Sequence, residues 1–379
     1  MRATRIPHGA LLSRRRWREL GVSSDRLCGP QFETLLPGHL TPRAAPASFE
    51  EMLRVLQTEL VPGAVLSHTT AAVLYGVPVP ASADDGVGLL LRRWDVHGRH
   101  RLSLFSLRDD PDAPPRASRA TDLPPEALEL RRPHVHIRIP PGRQARAGPH
   151  VTVHRMARAE TRVLRGLTLS APREMLLELA VTLEHDELVI AIDHLLGPRG
   201  PFGPQDRDAL QETLVPLAGR RGYRALVRAV EDAREGVESP GETRTRLLLS
   251  RAGFPEPALN LRVRVPSDAR TRRLDLAYED LRVAIEYDGD VHRSRGAWRE
   301  DQARRDSLES MGWTFRRLTA ADIRAPGRFL DALRRTFLRL GADAPAPDAW
   351  RGTAGAELSR PRPRPAPHPR PRPRTRPRP

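Results

Sequence analysis

The stretch RLDLAYEDLRVAIEYDGDVH, residues 273–292, decides how this chain is read. Leu274 and Leu276 alternate around Asp275; Leu281, Val283 and Ile285 alternate with Arg282 and Ala284 and lead into Glu286, Tyr287 and Asp288. Period-two alternation predicts strands over 273–278 and 281–287, paired as a hairpin around Glu279 and Asp280. Leu274 and Leu276 then share one face, and Asp275 takes the other together with Glu286 and Asp288. Two carboxylates about 5 Å apart repel by about 3 kcal/mol at an effective dielectric near 20, so something must offset them. A divalent cation does this, and Mg²⁺ prefers one or two carboxylates plus waters and substrate phosphate. Arginine also does it: Arg273 and Arg282 are spaced to reach the same face. Spacing alone leaves both readings open, including one in which the acids only bridge arginines.

Outward from that hairpin, the sequence predicts helix 239–252, strand 258–265, the two strands above, helix 298–311, strand 313–318 and helix 320–340. This α-β-β-β-α-β-α order implies a mixed sheet with helices on its faces. The surrounding acids have ordinary explanations too. Ser239-Pro240-Gly241-Glu242 reads as a capping box with proline at the first helical position. Asp288-Gly289 is a turn pair. His292 sits in a polar turn, and Asp301 and Arg304 have the i, i+3 spacing of a helical ion pair.

Upstream, LLSRRRWRELGVSSDRL offers two short helices joined by a turn at Gly21, compatible with helix-turn-helix, and residues 10–78 as a whole read as mostly helical. SFEEMLRVLQTEL is an amphipathic helix with Ser48 and Glu51 as a capping box, and GAVLSHTTAAVLYGVP is a helix of small residues. Residues 81–133 read as a linker or insertion. HVHIRIPPG and HVTVHRM alternate as strands, RVLRGLTLS holds another, and SAPREMLLELAVTL and HDELVIAIDHLLG are helices, the first entered at Ser170 with Pro172 in its first turn. Residues 206–235 are helical with Gly-rich interruptions.

Composition bounds the function. The chain of 379 residues has 63 basic and 47 acidic side chains, a formal balance of +16; every basic one is Arg, and eight of them lie between Arg360 and Arg378. The tail RPRPRPAPHPRPRPRTRPRP buries no core and reads as an extended, disordered polycation. This charge suits phosphate polyanions, DNA above all, although a solvated basic surface accounts for it equally. Cys28 is the one cysteine, which excludes a disulfide framework or a cysteine-based zinc site. No apolar leader and no apolar run of transmembrane length is present, so a soluble, cytoplasmic protein without a membrane partner is expected.

GETRTRLLLSRAGF, RLDLAYEDLRVAIEYDGDVH and WREDQARRDSLESMGWTFRRLT together resemble the family called domain of unknown function 559, over residues 239–340. That family is similar to very-short-patch-repair endonucleases of the PD-(D/E)XK superfamily. The resemblance implies a restriction-endonuclease-like α/β domain that binds Mg²⁺ or Mn²⁺ and hydrolyses DNA phosphodiesters. It implies Glu242 as the acid of the first helix, Asp275 as the central metal-binding residue and Glu286 as the Glu of the E-x-K position. His292 is implied as base or phosphate contact, and Arg304 and Arg317 as phosphate contacts. The departure is at Asp288, which stands where the superfamily has Lys. Arg cannot replace that Lys as a base because it stays protonated, so His292 carries that role.

LGVSSDRLCGPQFETLLPGHLTP and PGAVLSHTTAAVLYGVP resemble the winged-helix-like region of abortive-infection type IV antitoxins. The resemblance implies a DNA-binding region over 1–80 and an antitoxin-like α+β region over 134–238, ahead of the endonuclease-like domain at 239–340 and the tail from 341. It also implies the alternative function, a non-catalytic DNA-binding regulator on a nuclease-like scaffold. Ser67 and His68 within it read as a helix-capping Ser before a packed helix rather than as catalytic groups.

Overall fold

A computed structural model describes residues 9–80, 135–148, 150–157, 159–198, 200, 206–266, 270–288 and 304–351. The linker assigned to 81–133, His292, Asp301 and the Arg/Pro tail beyond 351 lie outside the described residues. The chain is mixed α/β, with sheets flanked by helices, and divides into two compact units, 1–240 and 241–379. Among the described residues no helix is long and apolar enough to cross a membrane.

The first unit opens with β1 (Leu12–Ser13), α1 (Arg14–Glu19), α2 (Ser24–Cys28) and the hairpin β2 (Phe32–Leu36) and β3 (His39–Pro42). Ser13 and Ser23 cap the two helices by accepting from Arg16 and Arg26 backbone N–H groups. The three strands form a sheet in the order β1-β3-β2. It closes on Trp17, whose ring meets Phe32 edge-on at 5.1 Å and whose indole N–H donates to Leu40 O at 2.9 Å. A mostly helical reading of this stretch is therefore corrected: FETLLPGHLTP is a hairpin, its turn made possible by Gly38 at φ 74°.

α3 (Phe49–Val55) starts at Ser48, which accepts from Glu51 N–H, and runs on as a π-turn over Leu56–Leu60. Only half of the expected capping box forms, because the Glu51 carboxylate pairs with Arg54. β4 (Val65–Leu66), α4 (His68–Leu74), β5 (Val135–Ile139), β6 (Val151–Arg155), β7 (Thr161–Leu164) and β8 (Leu167–Ser170) follow. The five strands make a sheet in the order β6-β5-β4-β8-β7. The expected single strand in RVLRGLTLS is a two-residue hairpin: Arg165 and Gly166 both take positive φ, 50° and 79°, as a tight hairpin turn needs. α5 (Pro172–Leu179), α6 (His185–Leu196), α7 (Arg207–Leu214) and α8 (Tyr223–Asp232) complete the unit as the sequence predicts, with Ser170 ending β8 rather than opening α5.

The second unit contains α9 (Pro240–Arg251), β9 (Ala258–Arg264), β10 (Thr271–Tyr278), β11 (Val283–Asp288), a helical segment α10 (304–309), β12 (Thr314–Thr319), α11 (Ala320–Arg324) and α12 (Gly327–Arg339). The sheet order is β12-β11-β10-β9, antiparallel except for the parallel β11–β12 pair. Leu248, Leu249, Leu276, Tyr278, Val283, Ile285, Leu318 and the apolar side of α12 form one core; Leu274, Ala277, Ala284, Leu308 and Trp313 form another. The α-β-β-β-α-β-α order is thus observed.

Three details differ from expectation. The single helix 320–340 is two, separated at Pro326, with Thr319 and Asp322 making a reciprocal capping box for the first. Ordered packing continues past 340: Trp350 is buried, stacks on Phe254 at 5.8 Å and donates to Asp331 at 3.0 Å. Leu274 and Leu276 also belong to different cores, so they do not share a face. Across β9 the same switch occurs between Leu261 and Leu259, on either side of Asn260, whose φ of 50° breaks the alternation opposite Asp275.

Candidate functional site

β10 and β11 run antiparallel with Tyr278 opposite Val283, Ala277 opposite Ala284 and Leu276 opposite Ile285. The next residue of each strand is Asp275 and Glu286, so the hairpin brings these two acids to neighbouring positions. Val283 and Ile285 face the α12 core, with Tyr287 packed against it, which turns Glu286 toward α10. Asp275 is half-buried.

Glu286 is held by three guanidinium groups. Arg304 donates to Oε1 at 2.7 Å, Arg305 to Oε2 at 3.4 Å, and Arg317 lies 3.6 Å from Oε2. Arg317 also lies 4.0 Å from Asp288, the last residue of β11; Gly289, its partner in the expected turn, lies outside the described residues. Arg305 stacks over the Phe315 ring at 4.8 Å. α10 and β12 thus supply the cations, because the parallel crossover lays α10 over the β11 face and registers Arg317 directly beside Glu286. Arg282, expected to serve this face, instead donates to Met311 O at 2.7 Å from a left-handed backbone, and is corrected accordingly. Sequence spacing pointed to arginines near in the chain; the partners are contributed across the crossover.

Glu242 is almost fully buried in the first turn of α9. Its neighbour Gly241 seats this turn on Tyr287, since a Cβ there would overlap the Tyr287 ring. The helix that carries Glu242 is thereby fixed against the strand that carries Glu286. Of the sequence-derived site residues, Glu286, Arg304 and Arg317 are brought into contact; Asp275 adjoins Leu276 on β10, and Glu242 lies on the helix that packs on the Tyr287 side of β11.

In the first unit, Ser67 makes no capping bond to α4. The buried Glu178 carboxylate takes that place, accepting from His68 N–H at 2.9 Å and from Ser170 Oγ at 2.9 Å, with Arg138 donating at 3.4 Å. Ser67 Oγ lies 3.0 Å from His68 Nδ1 and is fully buried, so it is closed to a substrate. Burial pushes the Glu178 carboxyl above the usual carboxylate range against these three donors.

The chain is similar to two uncharacterized proteins of Mycobacterium tuberculosis, Rv2248 and MT2308. Each is 26% identical over 203 residues, covering 53% of this chain and 73% of the relative. No protein-family model matches the chain, and no solved structure matches it.

Proposed function

We propose that the second unit is a Mg²⁺-dependent DNA endonuclease of the PD-(D/E)XK kind. The observation that carries the reading is the antiparallel register of β10 and β11, which runs to Leu276 opposite Ile285 with Asp275 and Glu286 the next residue of each strand. The α-β-β-β-α-β-α order and the buried Glu242 on the first helix support it.

The donor chemistry fits the ion: Asp275, Glu286 and Glu242 are hard oxygen donors of the type Mg²⁺ or Mn²⁺ takes. Bound there, the ion supplies a Lewis acid for a phosphoryl oxygen and lowers the pKa of a coordinated water. The chain's own residues hold the phosphate. Arg304, Arg305 and Arg317 converge on Glu286 and are the cations proposed to meet the DNA backbone. His292 is the proposed proton acceptor, since no Lys exists in the chain. The first unit is proposed to bind DNA through its α1–α2 and hairpin segment, and the Arg/Pro tail to add salt-sensitive, sequence-independent affinity.

A second reading, a non-catalytic DNA-binding regulator of antitoxin type, is favoured by one observation: both Glu286 oxygens are already engaged by arginine. Incubating supercoiled plasmid with the full chain in Mg²⁺ and in EDTA separates the two. Nicking that requires the metal supports the nuclease; DNA binding that persists in EDTA with intact plasmid in both supports the regulator.

A further inference from the structure

His68, His136 and His154 converge in the first unit, far in sequence from the carboxylates of the second. Their ligand nitrogens all lie within 4.8 Å of one another. His136 and His154 come from the parallel strands β5 and β6, where His136 stands opposite Thr152 and Arg138 opposite His154. Alternation therefore puts both histidines on one face of the sheet. His136 Nδ1 lies 2.9 Å from His154 Nε2. His68 enters from α4 and stacks on His154 at 3.6 Å between centroids.

From these positions we infer a binding site for one borderline transition-metal cation of the Zn²⁺ class, ligated by His68, His136 and His154.

The chemistry selects the ion. Three imidazoles suit Zn²⁺, Co²⁺ or Ni²⁺ and are poor ligands for Mg²⁺, which takes oxygen. Tetrahedral ligands at about 2.0–2.1 Å stand roughly 3.3 Å from one another, and the His136–His154 nitrogen separation is already close to that. The surroundings fix the third ligand. Ser67 Oγ contacts His68 Nδ1 at 3.0 Å and the Glu178 carboxylate stands 3.9 Å from it, the hydroxyl and carboxylate support that metal-binding histidines commonly receive. The charge of Arg138, on the same sheet face, is met by Glu178, so it is not left to oppose a cation.

The backbone gives a second, independent sign. His68 is the first residue of α4 yet has φ 50°, a left-handed conformation that is strained for a non-glycine residue. Nothing in helix initiation asks for this geometry. It turns the His68 ring onto His154 while its N–H reaches Glu178. His68 is buried whereas His136 and His154 are half-buried, which leaves one side of the trio toward solvent for a fourth ligand. Three protein ligands with an open position is the arrangement of catalytic rather than purely structural zinc.

The test uses the full chain stripped with EDTA and dialysed free of it, titrated with Zn²⁺ by calorimetry, with Mg²⁺ as the contrasting ion. One equivalent of Zn²⁺ is expected to bind tightly in wild type and to be lost in His136→Gln/His154→Gln, and Co²⁺ is expected to give the visible absorption of a tetrahedral site. Equal Zn²⁺ stoichiometry in wild type and variant overturns the inference, as does the absence of tight binding in wild type. Should the variant not fold, wild type alone decides: Zn²⁺ is expected to protect His136 and His154 from diethylpyrocarbonate in mass-spectrometric mapping, and unchanged modification overturns the inference. Plasmid nicking is independent of either result, so this site and the Mg²⁺ reading fail separately.

Discussion

Arg304 of α10 donates to Glu286 of β11 at 2.7 Å, across the crossover between the two parallel strands of the second unit. With Arg305 and Arg317 on the same carboxylate, one negative charge is surrounded by three positive ones. Asp288 lies 4.0 Å from Arg317 and Glu309 lies 4.0 Å from Arg305 as well, and the proposed role of Arg304 and Arg317 is to exchange these carboxylates for phosphate. Arg304→Ala/Arg317→Ala is expected to weaken DNA binding about equally for all sequences and to reduce the slope of log affinity against log salt by roughly 1–2. Fluorescence anisotropy at several salt concentrations reads this; an unchanged slope contradicts it.

Gly241 in the first turn of α9 lies against Tyr287. Alanine at a helical position ordinarily gains about 1 kcal/mol over glycine, yet here its Cβ meets the aromatic ring. Gly241→Ala is expected to destabilise the second unit by about 1–3 kcal/mol. A lower denaturation midpoint in urea agrees with that packing, and a raised midpoint contradicts it.

Trp350 lies beyond the expected end of the domain and is packed into its core. Trp350→Ala is expected to cost about 3–5 kcal/mol through the lost stacking on Phe254 and the lost bond to Asp331. A chain ending at 351 should unfold like the full chain, whereas one ending at 340 should be destabilised by at least as much as the substitution. Equal unfolding midpoints for the chains ending at 340 and 351 would count against this packing.

In the metal-free protein, burial and then the neighbouring charges of His154, His136 and Arg138 push the His68 imidazole down to about 3. Burial and then His136 push His154 down to about 4. The unfolded chain titrates near about 6.5, so between these values it binds more protons than the folded one. Stability from these histidines is therefore full above about pH 6.5 and lost as pH falls toward 4, with a limiting slope of about 1.4 kcal/mol per pH unit for His68. The slope is smaller for His154, which solvent screens. Glu178, whose pKa is raised, contributes with the opposite sign: its share is present at low pH and lost as pH rises through its folded value. Comparing wild type with His154→Asn cancels Glu178. Urea unfolding between pH 7.5 and 4.5 should show a shallower pH dependence in the variant, and identical dependences contradict the assignment.

Much of the second unit was legible because each of its elements has a local signature. Period-two alternation marks β9 to β11, Pro240 opens α9, and Gly312 at φ 87° ends α10 just before Trp313 and β12. What the sequence did not show depends on contacts between distant segments. The partners of Glu286 come from α10 and β12, reached only through a parallel crossover that no local pattern specifies. Asn260 reads as an ordinary strand residue, so the face switch opposite Asp275 is invisible until φ is known. FETLLPGHLTP carries its hairpin signal in Pro37-Gly38, which the flanking helical segments obscured. The role of Ser67 was misread because the group that caps α4 is Glu178, more than a hundred residues away. The histidine trio did leave a trace: HVHI and HVTVH each set a histidine on an alternating strand after the LSH segment, and their convergence follows only from the parallel pairing of β5 with β6.

Asp275 and Glu286 are proposed to act together on a phosphodiester, and the time course of supercoiled plasmid nicking in Mg²⁺ tests this most directly. Wild type should nick the plasmid, and Asp275→Ala/Glu286→Ala, matched to it in folding by circular dichroism, should lose that activity. Equal nicking rates for the two proteins would contradict the account.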